Sequence, residues 1–301
     1  MPEARLAPEQ WWPAREPTLR QRFIALPTGV RMRVVEAGPT DAPPVVLLHG
    51  WGILAYLWRH NVAALVADGY RVVAPDLPGH GLSDIPLAEG SYSVETMIAH
   101  LVALFDALAI VRAPLVAQSM GGMLAVHFAH RHPERVGRLV LISPVGFGRI
   151  TPAAALAHAI PDIPGQWIAR VAPRAGARLA LWRVYGTRSG WSERDVDEYW
   201  APTQRPELPR AMLRLLREFA WDPHAEPFVR AVTTPALVVF GTRDRTVKPT
   251  HAERLVRAMP RGQLVIVPGA GHVVNEERPD EFNPLMLEFL RAPIGEGAGR
   301  G

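Results

Sequence analysis

Short runs that are apolar on both sides of an extended chain, separated by longer stretches of helical periodicity, leave this sequence few folds. Residues 45–48, 71–74, 114–117, 138–142, 236–240 and 264–267 are dominated by Val, Leu, Ile, Ala and Phe, without the polar alternation of a half-exposed strand. A strand apolar on both faces must be covered on both faces, as in a parallel sheet sandwiched by helices. Helical stretches at 57–67, 94–108, 120–131, 250–259 and 279–290 lie between or after these runs. Ser93 is placed to cap one of them, with Glu95 in the positive first turn, and Gly69 is placed to stop another. Such alternation predicts right-handed crossovers and an α/β fold with a doubly wound, mostly parallel sheet.

Residues 149–230 break the rhythm. No strand-like run occurs there, prolines recur, and tryptophans concentrate at Trp167, Trp182, Trp191, Trp200 and Trp221. We read the segment as an inserted helical cap over the carboxyl edge of the sheet. Its tryptophans serve both as the cap's own small core and, at Trp182, Trp191, Trp200 and Trp221, as candidate substrate-binding wall. The predicted organisation is a core of residues 22–148 and 231–294, the cap at 149–230, an N-terminal extension at 1–21, and a flexible glycine-rich tail at 295–301. Trp11 and Trp12 of the extension are placed to dock onto the core.

Composition narrows the chemistry. A chain of 301 residues with 48% apolar content buries one large core, so a single domain with an insertion is expected rather than two domains. The absence of cysteine excludes disulfides, thiolate metal sites and a cysteine nucleophile. The net charge of +4 comes from basic residues that are nearly all arginine, Lys248 being the only lysine, interleaved with acids. No nucleic-acid partner is expected from that pattern. The first ten residues contain no apolar stretch, and no run approaches the ~18–20 residues of a membrane span, so a soluble cytoplasmic protein is expected. His127, His130 and His132 lack carboxylates at ligand spacing, and no metal or organic cofactor is expected.

The segment Ala117-Gln118-Ser119-Met120-Gly121 joins an apolar run to a helical stretch. A serine at a sharp strand-to-helix turn needs small residues two before and two after it, because bulk there would collide. Such a turn pushes the hydroxyl out at the sheet edge and aims the next helix N-terminus at the same point. The first small residue of this motif is usually glycine; here it is Ala117, whose methyl is expected to displace the strand slightly.

A serine hydroxyl is a weak nucleophile near neutral pH, so an imidazole must take its proton and a carboxylate must orient that imidazole. Both occur beyond later strands, in the order serine, acid, histidine. Asp244 follows the run ending at Phe240, and His272 follows the run ending at Val267, each in a glycine-bearing turn. A developing oxyanion needs two N–H donors. The amide of Met120 supplies one, and the loop His49-Gly50-Trp51-Gly52 the other, from Trp51 or alternatively Gly52. His49 is expected to brace that loop, and Asp76 and Asp84 to hold the loop between them. His80 is expected to be structural.

With these elements in order, the chain resembles the α/β-hydrolase superfamily, in its capped branch with His-Gly at the oxyanion loop, over about residues 23–290. The loop from Asp76 to Asp84 and the passage from His132 to Ile142 are similar to the family's as well. The resemblance implies Ser119 as nucleophile, His272 as base, Asp244 as acid, and Met120 and Trp51 as oxyanion donors. Family members that open epoxides or remove halides carry aspartate where this chain has Ser119. The expected activity is hydrolysis of carboxylic esters of small to medium apolar substrates through an acyl-enzyme, acting on a small-molecule partner. The His49-Gly50-Trp51-Gly52 loop also resembles that of carboxylesterases acting on carrier-linked esters. An alternative is carbon–carbon bond hydrolysis of aromatic ring-cleavage products, which Ser119-Met120-Gly121-Gly122 and Ser143-Pro144-Val145-Gly146 also resemble. Those enzymes commonly show asparagine before the serine and an aromatic after the histidine; Gln118 and Val273 stand here. A further alternative is a non-catalytic ligand-binding protein on the same fold.

Overall fold

The structure, a computed structural model, describes residues 6–146, 173–219, 221 and 226–293. Eight strands form one sheet: β1 (Leu19–Ala25), β2 (Arg31–Ala37), β3 (Pro44–Leu48), β4 (Arg71–Pro75), β5 (Ala113–Gln118), β6 (Val136–Ile142), β7 (Ala236–Gly241) and β8 (Gly262–Val267), in the order β1-β2-β4-β3-β5-β6-β7-β8. All pairs from β4 to β8 are parallel, while β1 and β2 add an antiparallel hairpin at one edge. Sequence reasoning missed that hairpin. Its strands carry arginines at alternate positions, and β1 is largely exposed at the edge, so they lack the continuous apolar signal.

The central strands show why their runs are apolar throughout. Val46 and Leu48 of β3 join the cluster on one face of the sheet, and Val45 and Leu47 join the other. Val238 and Phe240 of β7 alternate with Leu237 and Val239 in the same way. The run at 264–267 is different. It lies in β8, the opposite edge, where Leu264 and Val265 are half-buried and Ile266 is 37% exposed; among the described residues no strand pairs with it on that side.

Helices α1 (Val62–Ala67), α2 (Val94–Ala107), α3 (Met120–Arg131), α8 (Thr250–Ala258) and α10 (Pro279–Arg291) cover the sheet. The Ser93 hydroxyl caps α2 by accepting from the Thr96 amide. The stretch at 57–67 is not one helix but a 3-10 turn, Ala55–Trp58, followed by α1. The chain breaks where the Asn61 side-chain amide is drawn away to Asn275 O and Asn283 Oδ1.

Between β6 and β7 the described residues hold helices and no strand: α4 (Arg174–Val184), α5 (Glu193–Trp200), α6 (Leu208–Glu218) and α7 (Glu226–Val229). Trp167 lies outside the described residues, as does the glycine-rich tail. Arg59 bonds Asp195 of α5 at 2.8 Å and Glu276 of α9 (Val274–Glu277) at 2.7 Å, which ties the insertion to both halves of the core. Trp11 and Trp12 are buried. The Trp12 carbonyl accepts from Arg33, and its amide donates to Glu198 Oε1 at 2.8 Å.

Candidate active site

One residue turns the chain from β5 into α3, and it is Ser119. It holds φ +53° and ψ −115°, a backbone that side chains with a Cβ adopt only under constraint. The constraint is visible in the packing. A Cβ on Gly121 would come within 2.5 Å of the carbonyl oxygens of Leu48 and His49. Ala117, the small residue on the other side of Ser119, is fully buried. Ala117 pairs in register with Leu48 on one side and Leu141 on the other, and the register shift in β5 lies farther back, between Ala113 and Leu115. Ala117 thus keeps its place in the parallel ladder.

Parallel strands end on the same edge, so the turns after β5, β7 and β8 meet there. Ser119 Oγ lies 3.0 Å from His272 Nε2, and His272 Nδ1 lies 2.8 Å from Asp244 Oδ2. With the Nδ1 proton donated to the carboxylate, Nε2 is left as the acceptor for the serine proton. The other Asp244 oxygen accepts from the amides of Thr246 and Val247 at 2.8 and 2.9 Å. Burial of this carboxyl opposes its ionisation. The His272 imidazole and the two amides outweigh burial and hold its pKa below the usual carboxylate value. The acid is thus a fixed anion at neutral pH.

The Met120 amide opens α3 and has no acceptor within its helix. The loop after β3 reaches the same place because Gly50 lacks a side chain. A Cβ there would lie 3.0 Å from Ser119 Cβ and 2.3 Å from Gln118 Oε1. Gly52 turns the loop with φ +73°, a region costly for any other residue. His49 braces it from below: Nδ1 donates to Gly50 O at 2.8 Å, and Nε2 accepts from the Leu77 amide at 2.9 Å. Trp51, 40% exposed, points its Nε1–H to Met212 O of α6 at 3.4 Å.

The four candidate wall tryptophans do not share one environment. Trp182 is 39% exposed beneath the Arg188 guanidinium. Trp191 packs edge-on against Tyr185, and Trp200 is buried. Trp221 packs against Phe219 and the same apolar cluster that contains Met120, Met123 and Val145.

Asp76 and Asp84 act where loop-holding residues should. Asp76 accepts from Ala55 N, Leu82 N and Arg33, with which it forms an ion pair buried on both sides, and Asp84 accepts from Arg31 N. Sequence reasoning missed two residues at the site. Gln118 donates Nε2–H to His272 O at 3.1 Å, and Glu277 accepts from Gly271 N at 2.7 Å. Gln118 stands at the recognisable position before Ser119, but its contact, like that of Glu277, is to a backbone group, which residue type and spacing do not announce. Among the described residues no helix is long and apolar enough to cross a membrane, and no group of three His, Asp or Glu is arranged to hold a metal.

A strained serine, an imidazole and a buried carboxylate are bonded in series at the carboxyl edge of a parallel sheet, and the sheet is that of a hydrolase fold. The chain belongs to the α/β-hydrolase fold family, whose profile matches residues 43–279. It is similar to a 2-hydroxy-6-oxononadienedioate/2-hydroxy-6-oxononatrienedioate hydrolase of Burkholderia vietnamiensis, 34% identical over 286 residues, covering 88% of this chain and 92% of the relative. Epoxide hydrolase A of Mycobacterium tuberculosis is 29% identical over 305 residues, covering 87% and 94%. A solved meta-cleavage product hydrolase from Pseudomonas fluorescens superposes with a TM-score of 0.75 at 27% identity, over 89% of this chain and 97% of that one.

Proposed function

We propose that this protein is a serine hydrolase whose substrate is a carbonyl compound cleaved at a carbon–carbon bond, of the ring-cleavage type named for its relatives. The bonded series Ser119–His272–Asp244 carries the reading of hydrolysis. The serine at position 119 speaks against epoxide opening by an aspartate nucleophile. The likeness to carbon–carbon hydrolases moves our reading away from the simple esters expected from sequence.

In this scheme Ser119 Oγ adds to the substrate ketone as His272 takes the hydroxyl proton. The Met120 and Trp51 amides stabilise the oxyanion as hydrogen-bond donors. With the substrate in its 2-keto tautomer, where the carbon beside the ketone is saturated, collapse breaks the bond to that carbon, whose electron pair is delocalised as an enolate and takes its proton from His272. Water deprotonated by His272 then releases the acyl group from Ser119 as a carboxylic acid. Asp244 stays ionised throughout and stabilises the imidazolium.

Residues 149–230 are proposed to act as the cap that selects substrate. Trp182, Trp191, Trp200 and Trp221 are the candidate wall residues of that cap. Ester hydrolysis is the second reading, favoured by Gln118 and Val273 at positions where carbon–carbon hydrolases commonly carry asparagine and an aromatic.

The test is a purified-enzyme panel of p-nitrophenyl esters of increasing chain length beside a 2-hydroxy-6-oxo-dienoate. A kcat/KM for the dienoate well above that of every ester is expected. The reverse order transfers the assignment to esters. Turnover of either class by Ser119→Ala, equal to the parent, refutes the nucleophile.

A further inference from the structure

The turn that carries His272 is fastened to the insertion as much as to its own sheet. The His272 amide donates to Val184 O, at the last residue of α4, at 2.7 Å. Glu277, at the end of the single-turn α9, gathers four donors on one carboxylate. Its Oε2 accepts from Gly271 N at 2.7 Å and Gly186 N at 2.9 Å. Its Oε1 accepts from Thr187 N at 2.9 Å and from the Thr187 hydroxyl, whose one proton is shared with Ser189 O, at 2.9 Å. One side chain therefore joins the residue before the histidine to the two residues that follow Tyr185 in the insertion.

Side-chain-free backbone makes this clasp possible. A Cβ on Gly271 would lie 2.2 Å from Val184 O, and one on Gly186 would lie 2.3 Å from Gly269 O. The turn carrying the acid closes on the same place. Arg245, next to Asp244, donates to Tyr185 O at 3.0 Å and Gly186 O at 3.3 Å. The acid and the base are thus both referenced to residues 184–187.

We propose that Glu277 is a positioning residue for His272, and that residues 184–187 of the insertion are part of the machinery that aligns the imidazole. The proposal rests on the reading of Ser119, His272 and Asp244 as the reacting set. The imidazole must satisfy 3.0 Å to Ser119 and 2.8 Å to Asp244 at once, which leaves little room for its backbone to drift. Charge-assisted bonds from a carboxylate to backbone amides are the strong kind for that purpose. A shift of about 1 Å at a reacting group costs on the order of 10²-fold in rate.

The test uses Glu277→Ala, Glu277→Gln and Thr187→Val. Glu277→Ala is expected to lower kcat by on the order of 10²-fold while KM moves by less than about threefold. Glu277→Gln keeps the volume and one acceptor oxygen and should fall between Glu277→Ala and the parent. Thr187→Val removes one of the four bonds and should lose only about twofold.

Two further readouts isolate position from chemistry. Fluorophosphonate labelling of Ser119 should slow in parallel with kcat. The far-downfield proton resonance of the His272–Asp244 bond, which needs no substrate, should weaken in Glu277→Ala. A variant that keeps kcat and the downfield proton while its melting temperature falls overturns the proposal and makes Glu277 a fold-supporting residue only. Should Glu277→Ala not fold, Glu277→Gln decides by the same two readouts. A parent protein that shows the downfield proton but is never labelled at Ser119 refutes the reacting set. The resonance in the variants then still decides whether Glu277 positions the ring.

Discussion

Lowering the pH should loosen this protein through His80, and the structure sets the size of the effect. His80 is 1% exposed, and its Nδ1 donates to Pro78 O at 3.1 Å. Nε2 is buried with no hydrogen-bond partner among the described residues, and the ring lies edge-on to His49 with centroids 4.9 Å apart. Burial first, then the neighbouring His49, push its pKa down to about 3 from an ordinary 6.5. The unfolded chain therefore takes up this proton before the folded one does. Stability is intact above pH 6.5 and falls as the pH drops from there toward the folded value. Each pH unit in that window costs about 1.4 kcal/mol, so two units, from pH 6.5 to 4.5, cost about 2.5–3 kcal/mol at this one site. His80→Asn keeps a donor for Pro78 O and cannot titrate. At pH 7.5 the lost ring packing should make it less stable than the parent by about 1–2 kcal/mol. Urea unfolding at pH 7.5 and pH 4.5 measures both proteins. The parent's advantage should vanish or reverse at pH 4.5, since His49, Asp76 and Asp244 titrate in both proteins and largely cancel. An advantage that stays the same at the two pH values refutes the reasoning. The consequence reaches the site, because His80 packs on the ring that braces Gly50.

Asp244→Asn keeps an oxygen for the Thr246 and Val247 amides but loses the anion facing His272. Turnover should drop by about 10⁴-fold with the unfolding midpoint little changed, as steady-state rates and thermal melts on one preparation would establish. Gly50→Ala drives a methyl to within 2.3 Å of Gln118 Oε1 and 3.0 Å of Ser119 Cβ. A loss of on the order of 10²-fold in kcat is expected from the displaced oxyanion loop, and parent-like kinetics would show that the loop absorbs the methyl without moving its donor. Arg33→Met leaves the Asp76 carboxylate buried without the cation that most opposes burial, so its pKa should rise against only His49 and the Ala55 and Leu82 amides. Denaturant unfolding at neutral pH should report a loss of about 3–5 kcal/mol, and a loss under about 1 kcal/mol would mean the two amides on Asp76 suffice.

The sequence by itself determined the sheet, because central strands buried on both faces must be apolar at every position, and that pattern is local. It also placed Ser119, Asp244 and His272 at strand ends, since elbows and tight turns demand small residues at fixed offsets. Edges escaped it. The hairpin of β1 and β2 is half solvated, and β8 looks central in sequence although solvent covers one side of it. Tertiary structure alone decided the rest of the site. That the Ser119, Asp244 and His272 side chains fall within hydrogen-bond distance depends on a parallel register across β5 to β8. Gln118 and Val184 meet His272, and Glu277 meets Gly271 beside it, through backbone carbonyls and amides, and every residue type carries a backbone carbonyl and all but proline an amide. No side-chain pattern can announce such contacts; only the folded chain brings them together.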